Sequence, residues 1–258
     1  MSHDVGMAAL RGRTALVTGV SRRAGIGFAI ARRLLADGAE VYCQGWSAHD
    51  GEQPWGQGEA IGDALGADVA AIEECDLARP EAPAQLMARA VARLGPIDIV
   101  VANHARSSQQ SLEDLTVEEL DRSWAVNTRA SVLLVKAFAA QHDDARPGGR
   151  VVLFTSGQHL GPMAAELPYA ISKGAIHQMT WSLADAVADR GITVNAVNPG
   201  PTDTGWASAE LAADVGRSLP RGRWGTPDEA AAVVAWLVSD DAASVTGQVI
   251  DAEGGFRR

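Results

Sequence analysis

The sequence is poor in cysteine, in basic residues and in long apolar runs, and each shortage excludes a class of protein. Its two cysteines, Cys43 and Cys75, share no CxxC or metal-ligand spacing, so neither a disulfide scaffold nor a metal site is expected. With 22 Lys plus Arg against 32 Asp plus Glu, the net charge of -10 disfavours nucleic acid and anionic membranes as partners. No apolar run approaches the ~20 residues of a membrane span, and the first residues lack a signal-peptide layout. We therefore expect a cytoplasmic protein.

Short β-branched runs alternate with longer Ala/Leu/Arg segments at helical spacing, a pattern typical of repeated βα units around a parallel sheet. The pattern predicts strands at 14–18, 40–44, 69–73, 97–102, 150–154, 193–197 and 248–251. It predicts helices at 26–37, 81–94, 117–142, 168–190 and 227–238. The predicted fold is α/β, a Rossmann-type doubly wound seven-stranded parallel sheet with helices on both faces. Because the sequence shows no repeat or linker, residues 1–258 are expected to form one domain.

Two connections between the predicted elements are long, at residues 45–66 and 199–225. The first contains Trp46 and Trp55, and the second contains Trp206. Long irregular connections in compact domains usually carry function or disorder. Both connections are therefore candidates for cofactor and substrate contacts.

A glycine-rich turn joins the first predicted strand directly to the first predicted helix. Gly19 permits a tight turn, Gly25 lets backbone N–H groups approach a pyrophosphate, and Gly27 allows the helix to pack closely. The positive N-terminal end of the helix also favours an anion. The turn therefore predicts a dinucleotide site, whose candidate contacts include Ser21, Arg22, Arg23 and Ile26.

Tyr169 and Lys173 stand four residues apart on a predicted helix, which places both side chains on one face. The unperturbed pKa of tyrosine is ~10, and a nearby cation lowers that pKa by stabilising the phenolate. Both residue types are rare here, since the chain has two tyrosines and two lysines. Ser156 follows a buried strand, at the carboxyl end where ligands bind in open α/β sheets. The three side chains predict a site of proton transfer.

With these motifs the chain resembles the short-chain dehydrogenase/reductase family of the single-domain type, and most closely its 3-oxoacyl-[acyl-carrier-protein] reductase-like members. The resemblance covers essentially the whole chain. It rests on Thr18-Gly19 to Gly25-Ile26-Gly27, Cys75-Asp76-Leu77, Ala102-Asn103-His104-Ala105, Asn127, Ser156, Tyr169 to Lys173, and Asn198-Pro199-Gly200-Pro201-Thr202. The tail Val245 to Gly255 is also similar to that branch.

The resemblance implies a catalytic tetrad of Asn127, Ser156, Tyr169 and Lys173. Tyr169 would protonate the carbonyl oxygen during reduction, and Ser156 would hold that oxygen by a hydrogen bond. Lys173 would bind the nicotinamide ribose and tune Tyr169. Asn127 would anchor a water that feeds protons to the lysine. Hydride transfer itself belongs to the cofactor.

The resemblance also implies cofactor contacts outside the glycine-rich turn, at Asp76, Leu77, Asn103, Pro199, Gly200 and Thr202. Candidate substrate contacts are Gln158, His159 and Trp206, with Trp206 and Trp224 as a possible lid. Two departures from the family pattern bear on these contacts. Five residues instead of three separate Gly19 from Gly25, and Ala102-Asn103-His104-Ala105 stands where the family has Asn-Asn-Ala-Gly. For His104, a ring satisfied by backbone groups is favoured over a place in the cofactor cleft.

The cofactor is expected to be NADP(H) rather than NAD(H). NAD enzymes of this fold usually end the second strand with an acid that binds the ribose hydroxyls and repels a 2′-phosphate. Here the strand runs into Gln44-Gly45-Trp46-Ser47, and Asp50 is the first acid. Arg22 and Arg23 offer guanidinium groups that match phosphate oxygens, and Ser47 offers a hydroxyl.

A homotetramer is expected, with a dimer as the alternative. The predicted helices over 117–142 and 168–190 carry more apolar surface than one face of a sheet needs, and closed symmetric assemblies are common. The residues that suggest this are Trp124, Leu133, Val135, Phe138 and Met179. In similar proteins these two helices form a dimer interface and the C-terminal strand region forms a second one.

The sequence thus favours an oxidoreductase that moves a hydride between NADP(H) and a ketone or secondary alcohol, with a 3-oxoacyl thioester or polyketide-like substrate. Two alternatives stay open: a catalytically idle NADP(H)-binding redox sensor, and an NAD-dependent alcohol dehydrogenase of the same family. Fold alone does not separate them. The presence of Tyr169 together with Lys173 argues against the sensor.

Overall fold

The computed structural model describes residues 9–56, 61–66, 69–146 and 148–255. The ends of the predicted domain and residues 57–60 of the first long connection lie outside this part. The described residues form a seven-stranded parallel sheet in the order β3-β2-β1-β4-β5-β6-β7. Its strands are β1 (Thr14–Thr18), β2 (Glu40–Gly45), β3 (Val69–Glu74), β4 (Ile99–Ala102), β5 (Arg150–Phe154), β6 (Thr193–Asn198) and β7 (Val249–Asp251). Every predicted strand is confirmed, with bounds that agree within two residues.

Helices connect the strands, as expected of βα units. They are α1 (Ile26–Ala36), α2 (Ser47–Gly51), α3 (Gly62–Leu65), α4 (Ala82–Leu94), α5 (Val117–Ser123), α6 (Ala130–Gln141), α7 (Leu167–Val187), α8 (Ala209–Ser218) and α9 (Pro227–Val238). A π-helical segment, Trp124–Arg129, joins α5 to α6. Within the described part of the chain, no helix is long and apolar enough to cross a membrane.

Successive side chains along each strand point to opposite faces of the sheet, and they pack into two hydrophobic cores, one on each face. Val17 and Val152 point into a core that contains Leu34 of α1 and Val234 of α9. The neighbouring strand residues belong to the other core, which α4, α6 and α7 cover through side chains such as Leu86, Leu134, Phe138 and Ile176. The predicted doubly wound fold is therefore confirmed.

The strand order reverses between β1 and β4, where the chain leaves one half of the sheet for the other. In open α/β sheets such a switch point opens a crevice at the carboxyl ends of the strands. The segments that follow Thr18, Ala102 and Phe154 all meet there. This edge of the sheet positions the candidate site.

Some expectations about the helices were wrong. The helix predicted over 117–142 is interrupted by the π-helical segment, and the second long connection contains α8, which had no predicted counterpart. Val135 and Phe138, named for an interface, are instead buried in the core of the chain, because they face the sheet. Trp124, by contrast, is largely exposed and remains available to a partner.

Candidate active site

Two cavities meet at the carboxyl edge of the sheet. The first, of about 520 Å³, is lined by segments that follow β1, β2, β3 and β4. The second, of about 930 Å³, is lined mainly by segments that follow β4, β5 and β6. Arg22, Ile26, Trp55, Arg106 and Tyr169 belong to the walls of both cavities. A ligand in one cavity therefore reaches the entrance of the other beside Tyr169.

The glycine-rich turn forms the floor of the first cavity. Gly19 adopts a positive φ of 72°, which favours glycine. A Cβ on Gly27 would lie 2.3 Å from the Gly19 carbonyl oxygen, so α1 can approach the turn this closely only through glycine. Gly25 precedes α1 without a side-chain cap, and the first turn of that helix holds no acid. The free N–H groups at this helix end fit a pyrophosphate, as the sequence predicts.

Two side-chain amides, those of Gln44 and Asn103, tie together the segments that line the first cavity. Gln44 accepts a hydrogen bond from the Gly19 N–H at 3.2 Å and donates to the Cys75 carbonyl at 2.6 Å. Asn103 donates to the carbonyls of Thr18 and Gly19 at 3.2 and 3.1 Å. Gln44 was not among the predicted site residues, although a polar residue at the end of a buried strand is a usable signal. The cavity wall here also includes Ser21, Asp76 and Leu77.

Arg22 lies in the wall of the first cavity, where Asp50 and Trp55 hold its side chain. Its Nε lies 3.5 Å from the Asp50 carboxylate, and its guanidinium stacks on Trp55 at 5.1 Å from the ring centroid. Asp50 also accepts a hydrogen bond from the Trp55 indole at 3.0 Å. Arg23 is exposed, and neither Arg23 nor Ser47 lines the cavity. Of the three residues predicted to hold a 2′-phosphate, the structure brings one to the cavity.

Tyr169, Ser156 and Lys173 converge where the two cavities meet. Ser156 and Tyr169 both line the second cavity, and the Ser156 side chain opposes the rise in the pKa of Tyr169. The Lys173 ammonium lies 5.6 Å from the centroid of the Tyr169 ring and donates to the Phe154 carbonyl at 2.8 Å. The predicted placement of the tyrosine and the lysine on one helix face is thus confirmed.

Burial decides the protonation of this group. Desolvation raises the pKa of Tyr169 to about 12, against the opposing hydrogen bond from Ser156, and the charge of Glu166 raises it further. Desolvation lowers the pKa of Lys173 to about 7. In the protein without its cofactor, the pKa of Tyr169 is thus raised overall, because desolvation dominates. Near neutral pH, burial keeps Tyr169 as an intact phenol and disfavours the charged form of Lys173.

The side chain of Asn127, in the π-helical segment, is fixed on three sides. Its carboxamide oxygen accepts from the Arg106 N–H at 2.7 Å, and its nitrogen donates to the Arg106 carbonyl at 3.1 Å. The same nitrogen donates to the Ser172 hydroxyl at 2.8 Å, which in turn donates to the Tyr169 carbonyl at 2.8 Å. Asn127 therefore ties the loop after β4 to the helix that carries Tyr169 and Lys173.

His104 is a buried neutral imidazole. Its Nε2 donates to the Val126 carbonyl at 3.0 Å, which leaves Nδ1 to accept from the Thr18 hydroxyl at 2.7 Å. Burial and the charge of Lys173 lower its pKa to about 3. The preference for a ring satisfied by local groups is confirmed, although His104 also lines the first cavity.

Six cofactor and substrate contacts were predicted in the segments after β5 and β6, and four of them line the second cavity. Pro199, Gly200, Thr202 and Trp206 line it, and Trp206 packs against Trp224 with ring centroids 5.4 Å apart.

Gln158 and His159 do not line the second cavity. Gln158 accepts from the Ser156 N–H at 3.2 Å and donates to the Thr155 hydroxyl at 3.2 Å, so it shapes the turn that presents Ser156. His159 turns outward to Asp251, whose carboxylate lies 3.2 Å away, and to the His177 ring. The prediction that these two side chains face substrate is therefore corrected by the geometry of this turn.

Residues 19–257 match the sequence model of a family described as "Enoyl-(Acyl carrier protein) reductase". The chain is also 39% identical over 247 residues to the uncharacterized oxidoreductase YjdA of Bacillus subtilis, with 95% of this chain and 97% of that one covered. The chain belongs to the short-chain dehydrogenase/reductase family. Of the tetrad implied by resemblance to that family, Ser156 and Tyr169 line the second cavity. Lys173 contacts the Tyr169 ring, and Asn127 is linked to the Tyr169 backbone through Ser172.

Two further similar proteins are named as reductases. Versicolorin reductase 1 of Aspergillus parasiticus is 37% identical over 265 residues, which cover 96% of this chain and 98% of that one. The crystal structure of an angucycline C-6 ketoreductase, LanV, with bound NADP is 32% identical, covers 96% of both chains, and superposes with a TM-score of 0.84. The relatives of this chain thus include oxidoreductases and ketoreductases that use a nicotinamide cofactor.

Proposed function

We propose that this protein is a ketoreductase that transfers a hydride between NADP(H) and a ketone or secondary alcohol. The observation that carries the proposal is the placement of Ser156 and Tyr169 in the wall of the second cavity, with Tyr169 also in the wall of the first and the buried Lys173 beside its ring. A protein that binds the cofactor only to sense redox state does not need the hydroxyls of Ser156 and Tyr169 together in the wall of a second cavity. The idle-sensor alternative is therefore not retained.

The chain supplies the acid and the oxygen-binding groups for this reaction. Bound NADPH supplies the hydride that reduces the carbonyl carbon. Ser156 donates a hydrogen bond to the carbonyl oxygen, and Tyr169 donates its phenolic proton to that oxygen as negative charge develops. Because burial keeps Tyr169 protonated, the acid is in place before substrate arrives. Lys173 then stabilises the phenolate left on Tyr169.

We further propose a polycyclic, polyketide-like ketone as the substrate class. The second cavity is roomy, and Pro162, Met163, Trp206 and Val215 supply apolar walls for flat rings. The reductions named for versicolorin reductase 1 and for the angucycline C-6 ketoreductase support the same choice. A panel of cyclic aromatic ketones, 3-oxoacyl thioesters and aliphatic ketones, followed by loss of NADPH absorbance, tests the proposal. Reduction of no ketone with either NADPH or NADH would contradict it.

The preference for NADPH is a proposal that rests on Arg22. Because charge-assisted hydrogen bonds contribute ~1.5 to 3 kcal/mol, Arg22→Ala should weaken NADPH binding by ~2 kcal/mol, about 30-fold, and leave NADH binding nearly unchanged. Arg23→Ala, at a neighbouring residue outside the cavity, is the matched comparison and should have a smaller effect. Calorimetric titration of both cofactors measures these losses. Equal losses for NADPH and NADH in Arg22→Ala would overturn the assignment.

We propose a homotetramer as the assembly. Trp124, Trp181 and Trp236 are exposed on three different helical segments, and Ile171 of α7 is exposed as well. Exposed aromatic and aliphatic side chains of this size are typical of surfaces covered by another subunit. Light scattering at micromolar concentration should give four times the mass of the chain, and a monomeric mass would refute the proposal.

A further inference from the structure

Glu166 is a carboxylate in the wall of the second cavity that the proposed reaction does not use. It stands three residues before Tyr169, at the N-cap position of α7. Its backbone is held on both sides, since its N–H donates to the Met163 carbonyl at 3.1 Å and its carbonyl accepts from the Ala170 N–H at 2.8 Å. The side chain therefore projects from a fixed point beside the reacting phenol.

The carboxylate of Glu166 has no partner among the residues that the structure describes. An acid at the N-cap usually accepts a hydrogen bond from the first turn of its own helix, but Glu166 makes no such bond. It is half-buried, and burial raises its pKa without an opposing ion pair or hydrogen bond. A partly desolvated acceptor with nothing to accept from is costly unless a ligand supplies the donor.

The other charged groups of the second cavity do not compensate Glu166. Arg106 is held by Glu119 through two hydrogen bonds of 2.8 Å each, and Arg22 is paired with Asp50. Glu253 is a further acid in this wall, and its carboxylate accepts from the Asn198 amide at 3.4 Å. The walls of the second cavity therefore present an excess of negative charge to whatever binds beside Tyr169. A carboxylate or phosphate on the substrate would meet repulsion there, whereas a hydroxyl or ammonium group would find an acceptor.

We infer that Glu166 selects the substrate, favouring ketones that carry a hydroxyl or other hydrogen-bond donor and rejecting ketones that carry an anionic group near the reacting carbonyl. The inference rests on the proposed ketoreductase function and narrows its substrate class. Within the proposed class of polycyclic ketones, it favours those that carry a hydroxyl over those that carry a carboxylate.

Three bicyclic ketones of one frame test the inference: 1-tetralone, its 6-hydroxy derivative and its 6-carboxy derivative. For the wild-type protein we expect kcat/KM for the carboxylate to be at least ~10-fold below that of the parent ketone, and kcat/KM for the hydroxylated ketone to exceed it. Glu166→Gln keeps the side-chain volume and removes the charge. The kcat/KM ratios of carboxylate to parent ketone and of hydroxylated to parent ketone should each move several-fold closer to one in this variant. The matched variant Glu113→Gln, at an exposed acid outside both cavities, should leave both ratios unchanged.

Ratios are the decisive readout because Glu166 also raises the pKa of Tyr169. A change in the acidity of Tyr169 alters the rate for all three ketones alike, whereas a change in recognition alters the ratios. Identical ratios in wild type and Glu166→Gln would overturn the inference. If none of the three ketones is reduced, the ketoreductase proposal is contradicted, and calorimetric binding of the same ketones in the presence of NADP⁺ still decides the role of Glu166.

Discussion

Tyr169→Phe should lower kcat for ketone reduction by ~10²-fold or more, the usual contribution of a general acid. The substitution removes one hydroxyl and keeps the ring, so the packing of α7 and the first cavity are preserved. NADPH affinity, measured by calorimetry, should therefore stay within about two-fold of wild type. The combination of lost turnover and retained cofactor binding is the signature of a proton donor, because a structural residue would affect both.

The chain offers a matched control for this experiment in its other tyrosine. Tyr42, on β2, donates to the Glu73 carboxylate at 2.6 Å and packs in the core on the far side of the sheet from α1. Tyr42→Phe removes the same hydroxyl away from both cavities and should leave turnover within about two-fold. Near-normal turnover in Tyr169→Phe would remove Tyr169 from the mechanism.

Lys173→Met should change both the rate and the pH dependence of stability. Since Lys173 tunes the phenolate of Tyr169, turnover should fall by ~10²-fold or more. Burial lowers the pKa of Lys173 to about 7, far below its value in an unfolded chain. Between pH 7 and 9 the unfolded chain thus holds a proton that the folded chain lacks, so raising the pH stabilises the fold. The wild type should gain ~2 kcal/mol more than Lys173→Met over this interval, at 1.36 kcal/mol per pKa unit.

Urea unfolding of the cofactor-free protein at several pH values measures this gain. Lys136→Met is the control, because Lys136 is the only other lysine and is exposed on α6. Its free energy of unfolding should change with pH as that of the wild type does. Parallel pH profiles for wild type and Lys173→Met would show that Lys173 is already charged in the folded protein.

The strands and the glycine-rich turn could be predicted from the sequence because their signals are local. The run Thr14–Thr18 has three apolar residues between two threonines and is buried throughout, as expected for a strand covered on both faces, and the turn begins directly after it. The helical spacing of Tyr169 and Lys173 is equally local. These features depend on neighbours in the chain rather than on which surface lies opposite.

The rest depended on packing that the sequence does not display. Helical spacing showed that Phe138 is on an apolar face but not that this face covers the sheet. The sequence placed Arg22 in the glycine-rich turn but did not show that Asp50 and Trp55, from the first long connection, contact it. Glu166 was not among the predicted site residues, because the cavity beside it is formed by segments far apart in the sequence.

The two hydrophobic cores have a consequence for how this protein can change. The glycine-rich turn is anchored by α1, which packs with α9 on one face of the sheet, whereas the catalytic tyrosine and lysine are anchored by α7 on the other. Mutations in separate regions usually have additive effects on stability. Substitutions in the core under α7 should therefore leave the packing under the glycine-rich turn unchanged. The two cores can vary independently during evolution because the sheet separates them.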